Sequence, residues 1–243
     1  MDRQLRGKAR AWLAAAGLWL AALAPACGSD TDSFDVTLST ATATVDLGSA
    51  TGQVPDIACD PAAPQQCGAD ADIAISGDAG TAAIRAGCDP ATNHCFVTSQ
   101  VRIARTVTVL DDDSVGSWIG RHSLTFVRSV DVGVTVPTNT LTFDVPGIDV
   151  FVGPEGTALE TDPGVLAVGS VALVPAGTVV AEPRQVALAD GSPARDFVEA
   201  TVLDRKPFVF VMVFSPRLES GAAVPAGVLE VALLPRVRIG LPF

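Results

Sequence analysis

The chain has 243 residues, a formal net charge of −11 and hydrophobic residues at 48% of its positions. This length suffices for one ordinary domain with a sizeable core, or for a domain carrying a small stapled subdomain. The acidic balance argues against nucleic acid as a partner. The low aromatic content of 5%, with no tyrosine, argues against stacking platforms for sugars or bases.

Residues 1–26 have the three parts of a bacterial export signal. Basic residues predominate over positions 1–10, positions 11–24 are uninterrupted apolar residues, and small residues follow up to position 26. An apolar helix of about 14 residues spans about 21 Å, short of the roughly 30 Å hydrocarbon core. The pattern therefore favours a cleaved signal over a permanent membrane span.

The end of this signal, Leu23-Ala24-Pro25-Ala26-Cys27, resembles the lipobox of bacterial lipoproteins. The family usually has Leu three residues before the cysteine, where this chain has Ala24. The resemblance implies that Cys27 is acylated and becomes the mature N-terminus. Its lipid would anchor the protein to the outer membrane, with residues 27–33 as the tether. The alternative is an ordinary A-x-A cleavage site that releases a secreted protein. In its general type the chain resembles envelope lipoproteins of high-GC Gram-negative bacteria.

The remaining cysteines predict two disulfides. Removing Cys27 leaves Cys59, Cys67, Cys88 and Cys95, an even number suited to an oxidising compartment. Two stretches begin Cys-Asp-Pro-Ala and close at a second cysteine, so local pairing within each stretch is favoured. Two other connectivities remain open. Structural zinc usually has two to four residues between paired cysteines, which these longer spacings do not match, so no metal is expected.

From residue 34 to the C-terminus the sequence predicts an all-β domain. Apolar residues alternate with polar ones at 34–38 and reappear at 45–47, which indicates an opening strand or hairpin. Residues 48–100 are rich in Gly, Pro, Ala and Asp, and they hold the four cysteines. We expect a disulfide-stapled, loop-rich insert there, with a single strand candidate at 73–75.

Regular strands resume at residue 101. Val101, Ile103, Val107 and Val109 are predicted to share a face with Arg105. Val130, Val132, Val134 and Val136 alternate with Ser129, Asp131, Gly133 and Thr135 and should point into the core. Further strand candidates lie at 141–145, 148–152, 165–174, 178–180, 207–214 and 228–234. These eight to ten strands with intervening turns predict an antiparallel β-sandwich.

One short helix is predicted after residue 192. Ser192 is a suitable N-cap for Pro193 at the first helical position. Its apolar face would comprise Ala194, Phe197, Val198 and Thr201. Residues 208–214 are apolar at every position, which predicts a central strand buried on both faces, with the helix as a candidate cover for one face.

The stretch 111–122 is the sequence's candidate binding loop. It gathers a polar and aromatic set: Asp111, Asp112, Asp113, Trp118, Arg121 and His122. Consecutive aspartates lack the alternating spacing of a calcium loop, and Gly116-Ser117-Trp118-Ile119-Gly120 does not fit the G-x-S-x-G of hydrolases. A solvated strand connection is the simpler interpretation.

These features predict a non-enzymatic, envelope-anchored binding or structural protein with no cofactor. Its expected partners are the membrane, through the lipid, and an envelope or extracellular protein or glycan. A calcium-dependent module and a secreted hydrolase using the 111–122 loop are the alternatives. Convergence of those side chains in one pocket would favour either of them.

Overall fold

The predicted antiparallel β-sandwich is confirmed in a computed structural model. The structure describes residues 33–48, 52–68, 70–74, 80–109 and 126–240. Twelve strands in these stretches form two sheets, with one α-helix and a single 3-10 turn at Pro64–Cys67. No helix among the described residues is long and apolar enough to span a bilayer.

The first sheet has five strands. Its order is β1-β12-β6-β9, and β2 also pairs with β12. The strands are β1 (Ser33–Thr37), β2 (Ala41–Asp46), β6 (Phe126–Asn139), β9 (Val180–Ala187) and β12 (Val228–Gly240). The long strands β6 and β12 form its centre, since each has neighbours on both sides.

The second sheet has seven strands. Its order is β3-β4-β5-β10-β7-β8, and β11 pairs with β5 beyond the end of β10. The strands are β3 (Ala71–Ala74), β4 (Thr81–Asp89), β5 (His94–Val107), β7 (Ile148–Pro154), β8 (Leu166–Val171), β10 (Phe208–Phe214) and β11 (Arg217–Glu219). Every pairing between these strands is antiparallel.

The core lies between the sheets and follows the predicted alternation. On β6, the four valines at 130, 132, 134 and 136 are buried, whereas Ser129, Asp131 and Thr135 are half-exposed. Val134 lies opposite Leu233 and Val130 lies opposite Val237 of β12. Because a strand's side chains alternate between faces, this register places one apolar set in the core and leaves the polar set outside.

Strand β10 is buried on both faces, as its unbroken apolar sequence predicts. Phe208, Phe210, Met212 and Phe214 belong to the main core. Val209, Val211 and Val213 form a second cluster on the outer face, with Ala104 and Phe151 packed against it. The strand is central, between β5 and β7, so its backbone is paired on both sides.

The predicted helix is α1 (Pro193–Leu203). The Ser192 hydroxyl accepts a hydrogen bond from the Arg195 backbone N–H at 3.3 Å, as an N-cap should. Ala194, Val198 and Val202 are buried in the main core, and the helix contacts β6 and β8. The apolar stripe of α1 therefore faces the main core, to which Phe208, Phe210, Met212 and Phe214 of β10 also belong, and not the outer face of that strand.

The connection 155–165 between β7 and β8, which we call the strap, lies across the outer face of β10. Glu160 in the strap pairs with Arg102 on β5, and β10 separates β5 from β7 in the sheet. Near the end of β7, a Cβ added at Gly153 would lie 2.7 Å from Oγ1 of Thr157 and 3.0 Å from Cγ2 of Val165. The missing side chain lets the strap approach the sheet closely.

Strand boundaries differ from the sequence prediction in three places. The insert at 48–100 holds more strand than the single candidate at 73–75, because β4 and the first half of β5 form a long hairpin within it. Residues 141–145 form no strand, apart from an isolated bridge between Val145 and Val174. β9 starts at Val180, where the predicted strand at 178–180 ends. Alternation alone does not fix where backbone partners begin and end.

Candidate binding site at the disulfide-stapled end

The four cysteines are joined in crossed pairs. Cys59 is bonded to Cys88, with Cα atoms 5.9 Å apart, and Cys67 is bonded to Cys95, with Cα atoms 5.4 Å apart. The predicted two disulfides are present, but the favoured local pairing is wrong. Cys88 and Cys95 face each other across the β4–β5 ladder, and both reach out to the segment that carries the other two. Tertiary contact of residues 52–68 with the β4–β5 hairpin therefore outweighs the preference of short loops for local pairing.

Backbone hydrogen bonds also hold the segment that carries Cys59. The Cys59 N–H donates to the Asn93 carbonyl at 2.9 Å, and the Cys95 N–H donates to the Ile57 carbonyl at 2.9 Å. Further along, the Val54 N–H donates to the Ala222 carbonyl at 2.7 Å. Residues 52–59 therefore run between the β4–β5 hairpin and the turn that follows β11.

A polar cavity of about 410 Å³ opens where these three pieces meet. Its lining is Asp56 from the 52–59 segment, Asp89, Thr92 and His94 from the β4–β5 hairpin, and Glu219 and Ser220 at the end of β11 and just after it. Nδ1 of His94 lies 2.6 Å from Oδ1 of Asp56, so one hydrogen bond joins the 52–59 segment to the hairpin across the cavity. The three carboxylates make the cavity acidic.

Arg217 pairs with two of the carboxylates that line this cavity. Its guanidinium contacts Asp89 and Glu219, with 2.7 Å between Nε and Oε1 of Glu219. The same group lies over the Phe96 ring, 3.9 Å from its centroid. Two carboxylates and an aromatic face thus hold the guanidinium of Arg217, whose side chain is 44% exposed. The hydrogen bond with Glu219 is the main cause that raises the pKa of Arg217.

Asp89 is also held by the main chain. The Ala91 N–H donates to its carboxylate at 2.8 Å, and this hydrogen bond, assisted by Arg217, lowers the pKa of Asp89 from its ordinary value. Asp89 follows Cys88 directly in the Cys-Asp-Pro turn. The turn motif therefore keeps a carboxylate charged at the mouth of the cavity.

The Ser220 hydroxyl in this cavity is not arranged as a nucleophile. Oγ of Ser220 lies 2.8 Å from the Cys95 carbonyl oxygen and 3.3 Å from the Pro55 carbonyl oxygen, so its hydrogen is donated to the main chain. A serine nucleophile requires its hydroxyl to donate to a base such as His94. What the cavity offers is charge and hydrogen-bond acceptors for a bound group.

Among the described residues, one group has ligand atoms close enough together for a metal ion. It consists of Cys59, Cys67 and Cys88. All three are disulfide-bonded. A disulfide sulfur is not the thiolate that binds zinc, so this oxidised cluster is a structural staple.

The other predicted site residues lie outside the described residues. These are Cys27, the lipidation candidate, and the loop residues Asp111, Asp112, Asp113, Trp118, Arg121 and His122. Sequence reasoning did not select Asp56, Asp89, Arg217 or Glu219 as site residues. One signal was present, because Arg217 and Glu219 alternate around Leu218 and so share a face of their strand.

Comparison with known proteins adds little to this description. No protein-family model and no curated protein matches the sequence. A chain in the solved structure of Desmodium yellow mottle tymovirus aligns over 86% of this chain and 83% of its own length, with 8% identity and a TM-score of 0.24. Similarity at this level carries no functional meaning.

Proposed function

We propose that the protein is an exported, lipid-anchored binding protein, held on the outer membrane through Cys27. The lipobox-like end of the signal and the basic, apolar and small segments before it support the anchor. Two disulfides indicate an oxidising compartment outside the cytoplasm. The tether at 27–33 ends where β1 begins at Ser33, so it would separate the folded domain from the bilayer.

The recognition surface in this proposal is the acidic cavity at the stapled end, and its ligand is a cationic side chain of another envelope protein. The observation that carries the proposal is the seating of Arg217 between Asp89 and Glu219, over Phe96. Charge-assisted hydrogen bonds and an aromatic face are what a guanidinium or ammonium group requires. Asp56 supplies further negative charge in the same cavity.

Overall charge and rigidity support the same proposal. Removing residues 1–26, with four basic residues and one acid, changes the net charge from −11 to −14, which favours encounter with cationic partners. Walls joined by two disulfides and by the Asp56–His94 hydrogen bond are preorganised. A preorganised site loses less entropy on binding than a mobile one does.

Calorimetric titration with a tri-arginine peptide tests the ligand class. The double variant Asp56→Asn/Glu219→Gln removes two of the three carboxylates that line the cavity. The double variant Asp149→Asn/Glu182→Gln removes the same charge from exposed positions on β7 and β9. We expect the cavity variant to bind at least about tenfold more weakly, and the control to bind within about twofold of the unmodified protein. Equal losses in both variants, or no binding by the unmodified protein, would refute a cationic ligand.

A further inference from the structure

The order of the disulfides along the chain bears on how the protein matures. The first cysteine of the stapled region pairs with the third, and the second pairs with the fourth, over separations of 29 and 28 residues. The alternative pairs, Cys59 with Cys67 and Cys88 with Cys95, are only 8 and 7 residues apart. Loop closure in an unfolded chain favours the local pairs by about sevenfold for each bond.

Export strengthens this bias. A translocated chain emerges from its N-terminus, so Cys59 and Cys67 meet the oxidising compartment before Cys88 and Cys95 do. The Asp-Pro turn that follows Cys59 also brings the first two cysteines together. The first disulfide to form is therefore expected within the stretch 59–67, and it is not a native one.

We propose that the chain first forms the local pairs and reaches its native crossed pairs by disulfide exchange, with an exported dithiol isomerase as partner. The isomerase thiolate attacks the sulfur of Cys67, and Cys59 leaves as thiolate. Cys59 attacks the sulfur of Cys88, which forms the Cys59–Cys88 bond and releases Cys95. Cys95 then attacks Cys67, which forms the second native bond and releases the isomerase thiolate. One S–S bond breaks and one forms at each step, with no net oxidation.

The native arrangement places the exchanging atoms together. The sulfur atoms of Cys59, Cys67 and Cys88 all lie within 4.8 Å of one another, and the sulfur of Cys95 is bonded to that of Cys67. The β4–β5 ladder sets Cys88 opposite Cys95 without help from a disulfide. Docking of the Cys59 backbone on Asn93 then brings the third sulfur to them. Disulfide exchange thus needs only side-chain rotation once residues 52–68 have docked on the hairpin.

The native crossed pairing is favoured because it joins residues 52–68 covalently to the β4–β5 hairpin. Local bonds would close two small loops and leave residues 52–68 attached to β4 and β5 by hydrogen bonds alone. Crossed bonds restrain a much longer part of the unfolded chain, which stabilises the folded state more. Cys95 is also 6% exposed, so the completed Cys67–Cys95 bond is shielded from further thiol attack on that sulfur.

Oxidative refolding with disulfide mapping tests the proposal on the full chain carrying Cys27→Ser. The reduced, unfolded protein is oxidised with diamide, which leaves no free thiol, and then receives protein disulfide isomerase. Trypsin cuts after Arg85 and Arg102, so Cys59 and Cys67 share one peptide and Cys88 and Cys95 share the next. Local pairing leaves the two peptides separate, and crossed pairing links them. Cleavage before Asp60 and Asp89 distinguishes the native crossed pairs from the other linked connectivity, Cys59 with Cys95 and Cys67 with Cys88.

We expect separate peptides to exceed linked ones by roughly threefold or more after diamide, and linked peptides to replace them after the isomerase is added. The variants Cys59→Ser/Cys88→Ser and Cys67→Ser/Cys95→Ser each retain one native pair and cannot form a local one. They should reach that pair at the same rate with and without isomerase. Linked peptides as the main product of diamide alone, or equal acceleration of the variants by the isomerase, would overturn the proposal. The test needs no ligand and no membrane, so it is independent of the proposed binding function.

Discussion

Glu160 in the strap forms an ion pair with Arg102 on β5, across the outer face of the central strand β10. The distance from Nε of Arg102 to Oε2 of Glu160 is 2.7 Å, and a second guanidinium nitrogen reaches Oε1 at 3.0 Å. Nε2 of Gln100 donates to the same carboxylate at 3.1 Å. The side chains of Arg102 and Glu160 are 18% and 13% exposed, so their ion pair is better shielded than an ordinary surface salt bridge.

Glu160→Gln should lower stability in a pH-dependent way. Partial burial works against the charged carboxyl, but hydrogen bonds, chiefly from Arg102, outweigh it and hold the pKa of Glu160 below its ordinary value of 4.5. A depressed folded-state pKa gives stability that is present above pH 4.5 and lost as pH falls through the folded value. We expect a difference of about 1 kcal/mol near pH 7 that shrinks below pH 4.5.

Thermal unfolding of both proteins between pH 3 and pH 8 measures this difference. Asp35→Asn is the matched control, because Asp35 pairs with Arg238 at 3.0 Å while both side chains are more than half exposed. Its effect should stay below about 0.5 kcal/mol. A constant Glu160→Gln difference across the whole range would show that the carboxylate charge does not hold the strap.

The β6 register predicts opposite outcomes for two neighbouring substitutions. Val134 is 1% exposed and lies opposite Leu233, whereas Thr135 is half-exposed. Val134→Asp buries an unpaired carboxylate, which costs several kcal/mol and should unfold the domain. Thr135→Asp should cost about 1 kcal/mol or less. Circular dichroism melts that are equal for the two variants would contradict the register.

Two glycines with positive φ should differ in their tolerance of alanine. Gly227 has φ +105°, and an added Cβ would lie 2.2 Å from the Thr140 carbonyl oxygen. Gly221 has φ +77°, and an added Cβ would meet nothing within 4 Å. Gly221→Ala should cost about 1 kcal/mol, from the left-handed conformation alone. Gly227→Ala should cost roughly 3 kcal/mol or more, since backbone must move. Urea titrations that give the same midpoint for both variants would refute the close approach.

Much of this fold can be predicted from the sequence because burial in a two-layer sandwich imposes a period of two. The valines of β6, the N-cap at Ser192 and the doubly buried 208–214 strand all follow from local pattern. The candidate cavity does not, because it forms between Asp56, Asp89 and Glu219 from three distant segments. The disulfide pairing also depends on tertiary contact, which outweighs the loop length that favours Cys59 with Cys67.

Cys27→Ser should release the protein from membranes. The proposal assigns the anchor to a lipid on this cysteine, and a signal that lacks the cysteine cannot be acylated there. Metabolic palmitate labelling with membrane fractionation measures both consequences. Cys27→Ser should abolish label and shift the protein to the soluble fraction, whereas an unlabelled native protein would indicate the A-x-A cleavage alternative.

Site-specific photocrosslinking in intact cells tests recognition of a partner through the acidic cavity at the disulfide-stapled end. A photoreactive residue replaces Thr92 in the cavity lining or, as a control, exposed Ala181 on β9. Recognition through this cavity predicts a discrete adduct with another envelope protein from position 92 alone. That adduct should disappear when Asp56→Asn/Glu219→Gln is added and persist with Asp149→Asn/Glu182→Gln. An adduct unaffected by the cavity charges, or formed equally from position 181, would show that the partner is not recognised through this cavity.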